Sequence, residues 1–294
     1  MFKPELTTAV FNFTKIFASV PDAELDRPWQ WKGNDEGVRF AFFVVNLELR
    51  ELAVKLNSNR GQRQPVEQIL SQYHAAFLDL QAALDGLSNE DANLAPSEKD
   101  WSLRRLLAHI VSTEIGFTAV IRHALKGHRA GIWTTAPMTA KEGIELTGLS
   151  ETEYGELMQG SYENLLSYHQ SLHSRIITEF SLINTAELDL PAAFWEPESF
   201  PIHYRLHRYE SHLRQHIIQV DKTLTAIRRE PNEVRRLTRM LYAAQGEIDG
   251  ILIGAGADSL QTCQPTLDIL SIITGEISQI LTDFQPTRPA SIPA

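Results

Sequence analysis

Apolar residues recur at spacings of three and four along most of this chain, a pattern typical of amphipathic helices. Four such segments between residues 66 and 228 predict four helices. The first begins near Val66, the second follows Ser102, the third follows the capping-box sequence Ser150-Glu-Thr-Glu153, and the fourth runs from about Ile202. This part of the sequence therefore predicts four helices in succession.

The connections between these helices are long. Residues 126–148 show little periodicity and are interpreted as a loop, and Pro191, Pro197 and Pro201 interrupt the last connection. We predict no strand, because the β-prone Phe42-Phe-Val-Val45 lies in a helical segment that should override its local preference. Four helices with long crossover connections are the pattern of a four-helix bundle.

The two ends of the chain supply further helical segments, which cannot bury their apolar faces alone. We expect them to pack together as a second helical layer against the bundle. The predicted fold is all-α. It has an N-terminal helical extension (1–62), a four-helix bundle (63–230) and a C-terminal helical extension (231–294) that ends in a frayed, proline-rich tail.

Composition narrows the class of protein. The 294-residue chain has a net charge of −10, and its basic stretches are short and broken by acids, so we expect no nucleic-acid partner. Cys263 is the only cysteine, which excludes an intrachain disulfide and suits a reducing compartment. The N-terminus lacks the features of a signal peptide, and no apolar run is long enough to span a membrane. We expect a cytoplasmic protein with no membrane partner.

Histidines are clustered more than chance allows. A chain with 10 His in 294 residues should hold roughly 0.3 pairs spaced by four. This chain holds three: His169/His173, His203/His207 and His212/His216. Two imidazoles four residues apart lie on one side of a helix and can share a metal ion. Spacing alone favours the last pair only mildly, and a structural or solvated role is the usual alternative for any one pair.

The sequence Trp101-Ser102, with His109 seven residues after the serine and His212-x-x-x-His216-x-x-Gln219 far downstream, resembles the DinB family of four-helix-bundle proteins. Leu84-Asp-Gly-Leu87 and Glu114 also match, and the resemblance covers residues 66–228. One departure is Arg105, which stands three positions after Ser102, where the family often has an acidic or amide residue.

The resemblance implies a divalent metal, usually zinc or nickel, on His109, His212 and His216. Characterised relatives include transferases that use bacillithiol or mycothiol, so a low-molecular-weight thiol is the implied cosubstrate. Gln219 and Glu114 are candidates to orient an imidazole by hydrogen bonding. The alternatives for these two residues are a solvated glutamine and a surface glutamate. No general base or other catalytic residue is assigned.

Two hypotheses for function remain at this point. The first is a metal-dependent enzyme that activates a small thiol or water for transfer to, or hydrolysis of, a small-molecule substrate. The second is a non-enzymatic, stress-related protein that binds metal or a ligand, or a scaffold whose extra helices form a homodimer.

Overall fold

The computed structural model describes residues 4–132, 138–193 and 198–282, and these residues are predominantly helical. The prediction of an all-α fold is confirmed. The helices in chain order are α1 (Pro4–Lys15), α2 (Arg39–Asn59), α3 (Pro65–Leu84), α4 (Asn89–Asn93), α5 (Leu103–Arg129), α6 (Ala140–Thr147), α7 (Glu151–Gln159), α8 (Tyr162–Phe180), α9 (Ile202–Ala226), α10 (Glu233–Leu252), α11 (Ala257–Gln261) and α12 (Gln264–Thr282). Short 3₁₀ helices cover Asp22–Asp26 and Thr185–Asp189.

The prediction that the chain has no strand is wrong. Strands β1 (Pro28–Trp31) and β2 (Asn34–Gly37) form an antiparallel hairpin in which Trp31 faces Asn34. Its two-residue turn, Lys32-Gly33, has positive φ angles of 49° and 85°, as the turns that suit a twisted hairpin require. A second pair, β3 (Pro191–Ala192) and β4 (Phe200–Pro201), is shorter still.

Helices α3, α5, α8 and α9 form the bundle, with α3 and α5 each packed against both α8 and α9. Helix α9 therefore shares an interface with α5, and this interface positions the site described below. The interpretation of residues 126–148 as a loop is wrong in part, because α5 continues to Arg129 and α6 occupies Ala140–Thr147. Helix α6 begins with a capping box formed by Thr139 and Glu142.

Side chains at the helix starts explain where the bundle helices begin. Ser102 Oγ accepts a hydrogen bond from the Arg105 backbone N–H at 3.3 Å, which satisfies one free donor at the start of α5. Ser150 and Glu153 form the predicted capping box, but the helix that begins there, α7, ends at Gln159, so the expectation of one continuous third helix is wrong. The bundle helix α8 begins separately at Tyr162, where Ser161 is the N-cap. Arg105 in the first turn of α5 does not prevent that helix from forming.

Helices from both ends of the chain pack against the bundle and each other. Helix α10 lies on α3 and α2, and α12 packs against α1 and α2. The Trp29 indole N–H donates to Glu276 Oε2 at 3.0 Å, which ties the hairpin to α12. The buried apolar residues form one cluster that extends from Leu6 to Leu281. The segment boundaries at residues 62/63 and 230/231 stay a prediction.

Within the described part of the chain, no helix combines the length and the apolar character needed to cross a lipid bilayer.

Candidate metal centre

Three imidazoles converge at the interface between α5 and α9. His109 lies on α5, and His212 and His216 lie one turn apart on α9. Nε2 of His212 is 3.3 Å from Nε2 of His109 and 3.0 Å from Nε2 of His216. Among the described residues, these three form the one group of at least three His, Cys, Asp or Glu side chains placed to share a metal ion.

The spacing of these nitrogens fits a metal ion. Zinc–nitrogen bonds of 2.0–2.1 Å in a tetrahedron place neighbouring ligand nitrogens about 3.3 Å apart. Hydrogen bonding within the group is a poorer solution, because a neutral imidazole has one N–H and one lone pair to share. Three Nε2 atoms that face a common point are better satisfied by a cation, and three imidazoles leave one tetrahedral position for another ligand.

The surroundings keep the imidazoles uncharged. The pKa of His212 is lowered to about 3, chiefly by burial and to a smaller extent by His216, His109 and Arg208. Burial also lowers the pKa of His109 and of His216. Neutral imidazole is the form that ligates metal, so the site holds lone pairs at neutral pH without first losing protons.

Gln219 contacts one of the three imidazoles directly. Its Oε1 lies 3.1 Å from Nδ1 of His216, so His216 carries its proton on Nδ1 and presents the Nε2 lone pair to the other histidines. On the other α9 imidazole of the cluster, His212, Nδ1 is buried and has no hydrogen-bond partner among the described residues. His109 is half-buried and packs edge-on against Trp101, with ring centroids 5.2 Å apart.

Glu114 lies apart from this cluster. Its side chain is 0% exposed and accepts hydrogen bonds from the Tyr73 hydroxyl at 2.8 Å and from Nε2 of His169 at 3.2 Å. The alternative of a surface glutamate is therefore wrong. No hydrogen bond in the described structure joins Glu114 to His109, His212 or His216, so the imidazole that Glu114 contacts belongs to another group.

Beside the group of Glu114, Tyr73 and His169 lies a second buried polar network that sequence reasoning missed, with the rings of Tyr73 and His173 4.6 Å apart. Nδ1 of His74 is 2.8 Å from Nε2 of His173, and Nε2 of His74 is 3.1 Å from Oδ2 of Asp249. Gln245 donates to Oδ1 of the same aspartate at 2.8 Å. The network joins α3, α8 and α10. The four-residue spacing of His169 and His173 predicted that they lie on the same face of one helix. No local sequence pattern indicated that His74 or Asp249 would contact this face.

The remaining histidine pair stays near the surface. His203 is partly exposed and Nδ1 lies 3.2 Å from the Leu188 carbonyl oxygen, and His207 is exposed. Of the three pairs spaced by four residues, only His212/His216 meets a third imidazole in an arrangement suited to a metal.

A four-helix bundle with three convergent imidazoles on two neighbouring helices defines a class of helical proteins that can bind a metal. Residues 72–220, just over half of the chain, match the family model described as the DinB superfamily, and the chain belongs to this family. The resemblance seen in the sequence is thereby confirmed. No curated protein and no solved structure matches the chain significantly.

Proposed function

We propose that this protein binds one divalent metal ion through His109, His212 and His216 and acts on a small-molecule substrate with a small thiol or water. The observation that carries the proposal is the convergence of the three Nε2 atoms, with separations of 3.0 and 3.3 Å. Zinc and nickel are the metals we favour. Imidazole suits both, and membership of the DinB superfamily supports a metal-binding role.

A divalent cation at this position would supply charge that favours the deprotonated form of a thiol or water, and hence a nucleophile at neutral pH. The residues of the chain prepare the site for that role. Gln219 holds the tautomer of His216, burial keeps His212 neutral, and Trp101 covers one side of His109. Glu114 has no part in this proposal, because its hydrogen bonds lie elsewhere.

The test is metal content, measured by mass spectrometry on untagged protein. The His212→Ala/His216→Ala double variant is compared with His203→Ala/His207→Ala, which removes an equally spaced pair from the same helix. We expect about one metal per chain in the wild type and the control, and none in the first variant. Equal metal content in both variants, or none in any protein after reconstitution, would overturn the assignment.

Enzymatic action requires a second measurement. A panel of small thiols is incubated with an aryl halide, in which the thiolate displaces halide, and a panel of esters reports hydrolysis. We expect product formation that depends on metal and disappears in His212→Ala/His216→Ala. Metal binding without either reaction would favour the second hypothesis, a metal-binding protein that is not an enzyme.

A further inference from the structure

Two arginines border the histidine cluster, and each lies over an aromatic ring that touches one of the imidazoles. The Arg105 guanidinium carbon is 4.9 Å from the centre of the Trp101 ring, which packs against His109. The Arg208 guanidinium carbon is 5.9 Å from the centre of the Phe117 ring, whose centroid lies 5.9 Å from that of His212. Both charges are therefore held near the candidate metal position by cation–π contacts.

These two guanidinium groups keep most of their hydrogen-bond donors free. Within the described residues, no carboxylate lies within 4.0 Å of Arg105 or Arg208, and Arg208 reaches only Ser211 Oγ at 3.5 Å. Many other arginines of this acidic chain are bound to carboxylates. The examples include Arg39, Arg60, Arg122, Arg129, Arg214, Arg229 and Arg239. Free guanidinium donors beside the histidines are thus available to a ligand.

The two arginines lie at opposite ends of the cluster. On α5, Phe117 lies eight residues after His109. Phe117 contacts Arg208, which lies four residues before His212 on α9. Since His109 itself lies beside His212, α5 and α9 run antiparallel here. Arg105 is one turn before His109 and Arg208 is one turn before His212. A ligand between the helices would therefore meet one cation on each side of the metal position.

We propose that Arg105 and Arg208 make this site selective for an anionic ligand that bears carboxylates, held on either side of its metal-binding atom. The inference rests on the proposed function in that the ligand occupies the same site. A planar guanidinium matches a carboxylate with two parallel N–H donors, which a neutral ligand cannot use. The overall charge of −10 repels such anions, so their selection needs a local positive surface.

The experiment compares two thiols of similar size on the cobalt-substituted protein. Mercaptosuccinate carries two carboxylates, whereas thioglycerol carries two hydroxyls and no charge besides the thiol. The Kd of each is read from the sulfur-to-cobalt charge-transfer absorption. Comparing the ratio of the two Kd values between proteins cancels differences in thiol chemistry. We expect the preference for mercaptosuccinate to fall by about tenfold in Arg105→Gln/Arg208→Gln, and to weaken with added salt in the wild type.

Arg175 offers a matched control, because it is exposed on α8 and also lies over an aromatic ring, 5.5 Å from the centre of Tyr168. Arg175→Gln removes an equal charge away from the histidines and should change the preference by about twofold or less. A ratio in the double variant that equals the wild-type ratio would overturn the proposal, as would an equal loss in Arg175→Gln.

A metal-free arm separates this inference from the proposed function. Succinate is titrated into metal-free protein and followed by the chemical shifts of backbone amides. We expect shifts around Arg105 and Arg208 that disappear in the double variant. If cobalt fails to bind while succinate still binds through these arginines, the metal proposal is wrong and the anion site stands. If cobalt binds, but neither the thiol titration nor the succinate titration depends on the two arginines, the proposal of an anion-binding site is wrong.

Discussion

Gln219 Oε1 lies 3.1 Å from Nδ1 of His216, one turn away on the same helix. The contact fixes the proton of that imidazole on Nδ1, and an N–H···O bond of this kind also makes Nε2 more basic toward a metal. Gln219 and Glu114 are the two residues that the sequence suggested could orient an imidazole. Within the described structure, this is the only hydrogen bond from either of them to a proposed metal ligand.

We expect Gln219→Leu to weaken metal binding by roughly 10- to 100-fold, because His216 loses the acceptor that orients it. Competition with a chromophoric chelator measures the affinity. Gln215→Leu is the matched control, since Gln215 is exposed on the same helix. Gln219→Glu should retain the affinity, because its carboxylate can accept the same hydrogen bond. Unchanged affinity in Gln219→Leu would show that the ring is positioned by packing alone.

Stability should fall as the solution becomes acidic, and His173 contributes to this loss. Burial lowers the pKa of His173 well below 6.5, with smaller contributions from His74 and His169. The unfolded chain takes up a proton on this imidazole below about pH 6.5, whereas the folded protein does not. The free energy of unfolding therefore decreases as pH falls through this range, by about 1 kcal/mol between about pH 7 and pH 5.5 for one such histidine.

Urea unfolding of metal-free protein at several pH values checks this expectation. The slope of stability against pH should be smaller in His173→Gln than in the wild type. The histidines of the candidate metal centre contribute with the same sign, but they are present in both proteins and cancel in the comparison. His207→Gln removes an exposed imidazole and serves as the control. Parallel curves for wild type and His173→Gln would contradict burial of a neutral imidazole at this position.

The helices were predictable because their signals are local. The spacing of apolar residues and the Ser150–Glu153 capping box lie within a few residues of the structure that they specify. The β1–β2 hairpin was missed because its signal is a single turn dipeptide, Lys32-Gly33, followed by the polar strand Asn34–Gly37. Such a strand shows no alternation of apolar and polar residues, and its position depends on a contact with α12.

The same difference between local signals and long-range contacts decides which parts of the candidate site could be predicted from the sequence. The spacing of His212 and His216 is visible in the sequence, but only the family resemblance joined His109 to them. The His74–Asp249 contact spans 175 positions, and periodicity cannot identify which polar residue meets another inside a core. For the same reason the sequence could not show which imidazole Glu114 contacts, and the structure places it beside His169.

Asp249 should contribute more to the free energy of unfolding than a carboxylate on the surface does. It is 1% exposed and accepts hydrogen bonds from Gln245 and from His74 if the His74 proton is on Nε2. We expect Asp249→Leu to reduce the free energy of unfolding by at least about 2 kcal/mol, since two buried donors lose their acceptor. Asp249→Asn should cost less, because an amide oxygen can keep one of these bonds.

Urea unfolding at neutral pH provides the comparison for this position. Glu247→Gln is the control on the same helix, where the carboxylate is about half exposed and pairs with Arg50. Its effect should be small, as is usual for exposed ion pairs. A ranking in which Asp249→Leu and Glu247→Gln cost the same would mean that α10 does not depend on the buried network for its attachment to α3.

The crossing of α3 and α10 should tolerate a methyl group at one glycine and reject it at the next. A Cβ on Gly246 would lie 3.4 Å from its nearest neighbour, the Cα of Ala75, whereas a Cβ on Gly250 would lie 2.2 Å from Ser71 Oγ and 3.1 Å from Ser71 Cβ. Alanine is favoured over glycine inside a helix by roughly 0.5–1 kcal/mol. We therefore expect Gly246→Ala to be neutral or slightly stabilising.

Gly250→Ala should instead destabilise the protein by about 1–3 kcal/mol, because the Ser71 hydroxyl must rotate away and the Ser71 Cβ, 3.1 Å from the new methyl group, must move back slightly. Ser71→Gly removes both of the closest atoms and leaves the Ser71 Cα at 3.6 Å. The double variant Gly250→Ala/Ser71→Gly should thus recover part of the loss, and a double-mutant cycle of urea unfolding energies measures the coupling. Independent, additive effects of the two substitutions would show that the helices do not approach each other as closely as these distances require.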